Sequence, residues 1–315
     1  MVLRHVAKKY RAWRIARNTR DQEFKPAQFS QGNRIGGLRY YTEGDDEAVA
    51  TVVFVHGYTL AASSWHLQIA TVAEQARCIA MDLRGHGKSY TCAVEECTID
   101  GAADDVMTVL DDANITGPVI LVGHSLGGMV VLNLLRRYPQ FRVSCKGVVL
   151  VATSAQPFAT DGMAQLLKLP LVNSIRDAAE AAPEESEDFR GKLMDIVAPV
   201  VKASAFSDKA DRAMMDLHMK LINNTPLTSI IGFLDDLEIH DETEALEFLH
   251  GINGEIIVGD ADLFTPVEQA EFISSNWPEA KLTIVPGAGH MLPLESHKVV
   301  TAAINRLMLD PEFFE

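Results

Sequence analysis

A serine flanked by small residues at positions 123–127 is the strongest candidate for chemistry in this sequence. The segment reads Gly-His-Ser-Leu-Gly, follows the apolar run 119–122 and precedes a helix-like stretch. A tight strand-to-helix turn of this kind strains the serine backbone and exposes its hydroxyl, while the small residues prevent clashes. Ser125 is therefore a candidate nucleophile. The N–H of Leu126, at a helix N-terminus, is a candidate donor to a developing oxyanion.

A serine nucleophile needs a base that takes its proton and a third group that orients the base. Of the ten histidines, His290 is the best candidate because it directly follows a Gly-Ala-Gly segment and the strand-like run 282–285. Asp260 and Asp262 both follow the strand-like run 255–258, so both remain open as the orienting acid. Either choice gives the chain order Ser, Asp, His, which is a known order for such triads.

A second oxyanion donor is expected in the loop after an early strand. Residues 55–58, Val-His-Gly-Tyr, occupy that place, and the backbone N–H of Tyr58 is the candidate. We interpret His56 as a packing residue that shapes the loop. The glycine-rich segment 82–89 lacks the spacing of a nucleotide-binding loop, so it is predicted to be a strand-end turn.

The elements that must position these residues follow an alternating pattern. The apolar runs are nearly continuous, which is typical of strands buried on both faces of a sheet. Predicted strands lie at 51–55, 78–81, 119–122, 147–151, 255–258 and 282–285, and predicted helices at 63–75, 99–112, 128–138, 267–275 and 295–308. The alternation predicts an α/β fold with a doubly wound, mostly parallel sheet.

The alternation stops once, over residues 154–245, where Met, Ala and Leu mix with acidic runs. We interpret this region as an inserted helical cap, because loops of open α/β sheets at that place cover the carboxyl ends of the strands. The predicted core is then residues 31–153 and 246–315, and residues 1–30 form a separate N-terminal segment.

The charge of the N-terminal segment differs from that of the rest of the chain. The formal net charge of the 315 residues is −15, which argues against a nucleic-acid partner. Residues 1–20 nevertheless contain seven basic residues and no acidic one, with an apolar face at helical spacing. Such a helix suits peripheral contact with an anionic membrane. It would equally suit packing on the acidic core or on another subunit, and the sequence leaves both alternatives open.

Cysteine spacing and hydropathy indicate the setting of the protein. The four cysteines form neither a disulfide framework nor a zinc site, so free thiols and no metal are expected. No apolar run is long enough to span a bilayer, and the start lacks the apolar core of a signal peptide. The sequence therefore predicts a cytoplasmic protein.

Together the motifs at 56–58, 82–89, 123–128, 259–262 and 289–290 resemble those of the α/β-hydrolase superfamily, particularly its serine esterases and lipases with a helical cap. The resemblance covers residues 35–153 and 246–310. In that family the acid lies three residues after the glycine that ends its strand, which favours Asp262 over Asp260. A serine nucleophile departs from the epoxide hydrolases and dehalogenases of the superfamily, which use an aspartate.

The resemblance implies a carboxylesterase- or lipase-like enzyme acting on a small-molecule ester with an apolar acyl or alcohol part. Ser125, His290 and Asp262 would form the catalytic triad, with the Tyr58 and Leu126 amides as the oxyanion hole. No metal or organic cofactor is expected. A thioesterase, lactonase or acyltransferase would use the same residues. A non-catalytic ligand receptor or scaffold is the alternative from another functional class.

Overall fold

A computed structural model describes residues 29, 31–115, 117–157, 205–207 and 210–310 of the chain. The predicted N-terminal helix of residues 1–20 lies outside the described residues, so its membrane or protein contact stays a prediction. Residues 158–204, about half of the predicted cap, also lie outside them.

An eight-stranded sheet organises the described residues. Its strands are β1 Gln31–Ile35, β2 Leu38–Glu43, β3 Thr51–Val55, β4 Arg77–Asp82, β5 Val119–His124, β6 Cys145–Val151, β7 Asn253–Gly259 and β8 Ala280–Val285. The spatial order is β1-β2-β4-β3-β5-β6-β7-β8. β2 is antiparallel to both neighbours, and the pairs from β4 to β8 are parallel. The predicted α/β fold with a mostly parallel sheet is confirmed.

Helices connect most of these strands. They are α1 His66–Val72, α2 Ile99–Asp112, α3 Leu126–Arg137, α4 Arg212–Asn224, α5 Leu227–Ile239, α6 Val267–Ser275, α7 Leu292–Glu295 and α8 His297–Met308. Shorter 3-10 helices cover Ala62–Trp65, Val94–Glu96, Pro139–Val143 and Thr243–Leu249. The single helix predicted over 295–308 is wrong at its start, because α7 and α8 are separate helices with Ser296 between them.

The core lies on both faces of the central strands. Every residue of β3 and β5 is buried, since helices cover both sides of the sheet. The prediction that the run 282–285 is buried on both faces is wrong. That run belongs to β8, an edge strand whose residues are half-buried or exposed. The β1–β2 hairpin was not predicted, because β2 alternates buried and half-buried residues and lacks the continuous apolar run of a central strand.

The strand register places the candidate loops at one edge of the sheet. Val55 at the end of β3 pairs with Gly123 of β5, and Gly259 at the end of β7 pairs with Val285 of β8. The loops that follow these strands carry the predicted oxyanion, nucleophile, acid and base residues. Carboxyl ends of parallel strands are the usual place for ligand sites in such sheets.

Two further predictions concern side-chain chemistry and hydropathy. All four cysteines are free and buried, as their spacing predicts. Within the described ranges, no helix is both long and apolar enough to cross a membrane.

Candidate active site

The turn between β5 and α3 holds Ser125 in a strained conformation. Its φ is 52° and its ψ is −120°, a region that side-chain-bearing residues rarely adopt. The flanking glycines make this turn possible. A Cβ at Gly123 would lie 2.5 Å from the Gly127 carbonyl oxygen, and one at Gly127 would lie 2.2 Å from the Val55 carbonyl oxygen. The small residues predicted around the serine are thus required by backbone contacts on two sides.

His290 and Asp262 form a short hydrogen bond. His290 Nδ1 lies 2.8 Å from Asp262 Oδ2, and both residues are buried. The other carboxylate oxygen accepts the backbone N–H groups of Phe264 and Thr265 at 2.8 and 3.0 Å, while the Thr265 hydroxyl donates to Oδ2 at 2.9 Å. Because this carboxylate accepts all of these donors, Nδ1 of His290 carries the proton and Nε2 is the basic nitrogen.

Asp260, the other carboxylate that the sequence left open, takes a different role. It is exposed, and its Oδ1 accepts the Gly287 N–H at 2.6 Å. The structure thus brings Asp262, and not Asp260, to the histidine. Asp260 fastens the loop that leads from β8 towards His290.

The histidine loop packs directly against the nucleophile turn. His124, the residue before Ser125, donates from Nε2 to the His290 carbonyl oxygen at 3.0 Å, and the two imidazole rings have centroids 5.0 Å apart. Burial lowers the pKa of His124 well below its usual value, and the adjacent His290 lowers this pKa further. His124 is therefore a neutral spacer between the turn and the loop. No described residue hydrogen-bonds to the Ser125 hydroxyl.

The loop after β3, which carries Tyr58, packs on the start of α3, which carries Leu126. The Cβ that Gly127 lacks would also lie 2.6 Å from the His56 carbonyl oxygen, so the two backbone segments touch. Among the described residues, neither the Tyr58 nor the Leu126 amide N–H has a hydrogen-bond acceptor. Unpaired N–H groups close to a reacting carbonyl group can stabilise negative charge on its oxygen.

His86, which the sequence did not single out, supports the loop after β3. We call this loop the oxyanion loop, because the sequence predicts an oxyanion donor at Tyr58 in it. His86 Nε2 accepts the N–H of Thr59 at 3.2 Å, and Thr59 adopts a φ of 59°. His56 Nε2 accepts the Leu83 N–H at 3.0 Å, so the loop after β3 and the turn after β4 brace each other. The predicted strand-end turn is present, with Gly85 at a φ of 70°. Spacing gave no signal for His86 because its partner is a backbone group 27 residues away.

The described part of the insertion adds an apolar wall beside the histidine. The Phe264 ring lies 5.0 Å from the His290 ring and packs against a cluster formed by the loop after β3, α4 and the start of α7. Its members are Leu60, Ala61, Ala205, Phe206, Leu217, Leu221, Met291 and Leu294, with Met214 and Met215 half-buried at its margin. From α5, the Ile230 carbonyl oxygen accepts the Tyr58 hydroxyl at 2.6 Å. Residues between β6 and β7 therefore contact both His290 and Tyr58.

The side chains that could ligate a metal ion are scattered over the part of the chain that the structure describes. The described residues contain no cluster of three or more His, Cys, Asp or Glu side chains arranged to hold a metal ion.

The chain is similar to known proteins over most of its length. Residues 52–304 match the model of the alpha/beta hydrolase family. The chain is 27% identical over 306 residues to the dihydrolipoyllysine-residue acetyltransferase component of the acetoin cleaving system of Pseudomonas putida, covering 94% of this chain and 73% of that protein. It is also 27% identical to 3-oxoadipate enol-lactonase 1 of Acinetobacter baylyi, covering 78% of this chain and 83% of the relative.

Solved structures show the same fold. A thermophilic esterase from Thermogutta terrifontis superposes with a TM-score of 0.73 at 21% identity, covering 91% of this chain and 100% of that one. The enol-lactonase from Burkholderia xenovorans gives a TM-score of 0.73 at 18% identity, covering 89% of this chain and 100% of that one. The family match spans most of the chain, and the chain therefore belongs to the alpha/beta hydrolase family and is a hydrolase.

Proposed function

We propose that the protein cleaves carboxylic esters with an apolar acyl or alcohol part through an acyl-enzyme intermediate. The observation that carries this proposal is the buried hydrogen bond between His290 and Asp262, packed against the strained turn of Ser125. A histidine held at Nδ1 by a carboxylate presents Nε2 as a base, which is the arrangement that activates a serine.

In the first step, His290 Nε2 takes the Ser125 hydroxyl proton while Oγ bonds to the ester carbonyl carbon. The carbonyl oxygen becomes an oxyanion and accepts hydrogen bonds from the Tyr58 and Leu126 amides. Collapse of this intermediate breaks the bond to the alcohol oxygen, which leaves with the proton from Nε2. The acyl group stays on Oγ.

The second step repeats this chemistry with water. His290 Nε2 takes a proton from water, whose oxygen bonds to the acyl carbon, and the same two amides hold the second oxyanion. When the bond to Oγ breaks, Ser125 regains a proton from Nε2 and the carboxylic acid leaves. The apolar wall around Phe264 supports a substrate with an apolar part, because binding it there removes apolar surface from water.

A fluorophosphonate probe and a series of p-nitrophenyl esters from acetate to laurate test the proposal. The probe should label the wild-type protein on Ser125, and turnover should depend on acyl chain length. Ser125→Ala should remove both labelling and turnover while keeping the circular dichroism spectrum. A wild-type protein that neither reacts with the probe nor cleaves any ester would instead favour the receptor or scaffold alternative.

A lactonase is the second candidate, supported by the enol-lactonase of Acinetobacter baylyi among the relatives. A lactone is a cyclic ester, so the same two steps apply with the leaving alcohol still attached to the acyl group. Comparing kcat/KM for a lactone and for an open-chain ester of equal carbon number would rank the two substrates. Thioesters, and alcohol or thiol acceptors added to the ester assay, would test the thioesterase and acyltransferase alternatives in the same way.

A further inference from the structure

Residues 205–207 of the insertion run across the loop that carries His290. The Ala205 carbonyl oxygen accepts two backbone N–H groups from this loop, from His290 at 2.8 Å and from Met291 at 3.1 Å. Both bonds use main-chain atoms, so they fix the path of the histidine backbone and leave the ring free to meet Asp262. The insertion therefore contributes directly to the position of the base.

Gly289 makes this close approach possible. A Cβ at this position would lie 2.9 Å from the Ala205 carbonyl oxygen and 3.0 Å from the Ser207 nitrogen. Both contacts are with backbone atoms, which cannot swing aside as a flexible side chain can. Any side chain at position 289 would push residues 205–207 away from the histidine loop.

Glu295, at the end of α7, hydrogen-bonds both to residues 205–207 and to the loop that carries His290. Its Oε1 accepts the Gly289 N–H at 2.9 Å, and its Oε2 accepts the Ser207 N–H at 3.1 Å. The Ser207 hydroxyl also hydrogen-bonds to this carboxylate. The Glu295 side chain thus links Gly289, the residue before His290, to residues 205–207. Each carboxylate oxygen accepts a hydrogen bond from a different segment.

We propose that Glu295 is a positioning residue for the proposed hydrolysis, whose carboxylate fastens residues 205–207 to the histidine loop and thereby sets the place of His290 against Ser125. Asp262 fixes the direction of the ring through Nδ1, but that bond alone does not fix the distance from Nε2 to the serine. A misplacement of about 1 Å in a catalytic group can cost about 100-fold in rate. The catalytic part of this inference depends on the proposed function, whereas the bridge itself does not.

A purely structural role for Glu295 would lower stability without a specific effect on turnover. Glu255 on β7 offers a control, because it is a buried carboxylate whose two oxygens both accept hydrogen bonds, as do those of the half-buried Glu295. The Glu255 oxygens accept Arg306 Nε and Nη2 at 2.6 and 2.8 Å. Glu255 lies four residues before the end of its strand, about 13 Å from the edge that carries the site.

The experiment compares Glu295→Gln, Glu295→Ala and Gly289→Ala with Glu255→Gln in the full chain, measuring kcat, KM and melting temperature with one p-nitrophenyl ester. Glu295→Ala should lower kcat about 10- to 100-fold with KM within about twofold of wild type, because ground-state binding does not use Nε2. Glu295→Gln should lower kcat less than Glu295→Ala does, since the amide oxygen of glutamine still accepts one N–H. Glu255→Gln should lower the melting temperature comparably and leave kcat unchanged.

Gly289→Ala gives a test that does not alter the carboxylate, and hydrogen exchange gives a test that does not need turnover. Gly289→Ala should show the same selective loss of kcat. In Glu295→Ala, the amides of Gly289 and Ser207 should both exchange faster than in the wild type, as measured by mass spectrometry on overlapping peptides. Wild-type kcat in folded Glu295→Ala, or an equal loss of kcat in Glu255→Gln, would overturn the inference. Failure of the proposed function would instead appear in the wild-type protein, as absent labelling and turnover.

Discussion

Two pairs of histidines in this protein have nearly the same ring separation but differ in the hydrogen-bond partners of their ring nitrogens. The rings of His56 and His86, behind the oxyanion loop, have centroids 5.2 Å apart, and those of His124 and His290, beside the nucleophile turn, are 5.0 Å apart. All four residues are buried. Burial and proximity alone therefore do not distinguish a catalytic histidine from a structural one.

The first pair has no ring nitrogen left for a substrate. His56 donates from Nδ1 to the carbonyl of the following residue and accepts the Leu83 N–H at Nε2. His86 donates from Nδ1 to the carbonyl two residues earlier and accepts the Thr59 N–H at Nε2. Burial lowers the pKa of His56 to about 4 and that of His86 to about 3. Both imidazoles are therefore neutral near pH 7.

The second pair leaves two ring nitrogens without a hydrogen-bond partner among the described residues: Nδ1 of His124, which is buried, and Nε2 of His290. His124 donates from Nε2 to the backbone, and His290 donates from Nδ1 to Asp262. Within the described part of the chain, Nε2 of His290 has no hydrogen-bond partner. A base is therefore recognised by an unpaired ring nitrogen in an imidazole that a carboxylate orients, as Asp262 orients His290. Four tests examine this contrast between the pairs.

The largest effect should come from making the same substitution in each pair. His290→Gln removes the base, so kcat should fall by about 10⁶ with the fold retained, as when one member of a triad is lost. His86→Gln should lower kcat only about 10- to 100-fold, because it loosens the oxyanion loop without touching substrate. Ester turnover and thermal melting check both variants. Comparable losses of kcat would abolish the distinction between the pairs.

The second test concerns the carboxylate that leaves Nε2 of His290 unprotonated. Asp262→Asn should lower kcat by about 10⁴, because an amide that donates to Nδ1 favours the wrong tautomer. Asp260→Asn, two residues earlier in the same loop, should change kcat by less than about tenfold, since among the described residues the Asp260 side chain accepts a hydrogen bond only from the Gly287 N–H. A larger loss in Asp260→Asn than in Asp262→Asn would reverse the assignment.

The central sheet and the candidate residues could be predicted because their signals are local. Continuous apolar runs marked β3, β5, β6 and β7, and the small residues around Ser125 marked its turn. His86 and Glu295 could not be found in this way. Each accepts a backbone N–H from a distant segment, 27 residues away for His86 and 88 for Glu295, and any residue except proline offers a backbone N–H. Only the folded chain shows which N–H each of these side chains meets.

A third test examines the other support of the oxyanion loop. Tyr58→Phe removes the hydroxyl that donates to the Ile230 carbonyl of α5, which should cost about 1 kcal/mol of stability for a lost hydrogen bond. Because the Tyr58 amide is a proposed oxyanion donor, kcat should fall a few-fold, and KM should change little. Urea unfolding and steady-state kinetics check these values. An unchanged kcat would show that α5 does not help to hold the oxyanion donor.

The smallest effect is a pH dependence of stability that arises from His86. Folding holds His86 neutral with its pKa lowered to about 3, whereas in the unfolded chain a histidine titrates near about 6.5. The stabilising contribution of this residue is therefore complete above about pH 6.5 and is lost as the pH falls towards the folded pKa, because only the unfolded chain then takes up the proton. Each proton bound on unfolding lowers the free energy of unfolding by about 1.4 kcal/mol per pH unit. The wild-type protein and His86→Gln share every other titrating group. Urea unfolding at pH 6.5, 5.5 and 4.5 gives the free energy of unfolding as a function of pH for each protein. The wild-type slope should be steeper by up to about 1.4 kcal/mol per pH unit. Parallel lines would mean that His86 is not held neutral, and the contrast with His290 would then rest on hydrogen bonding alone.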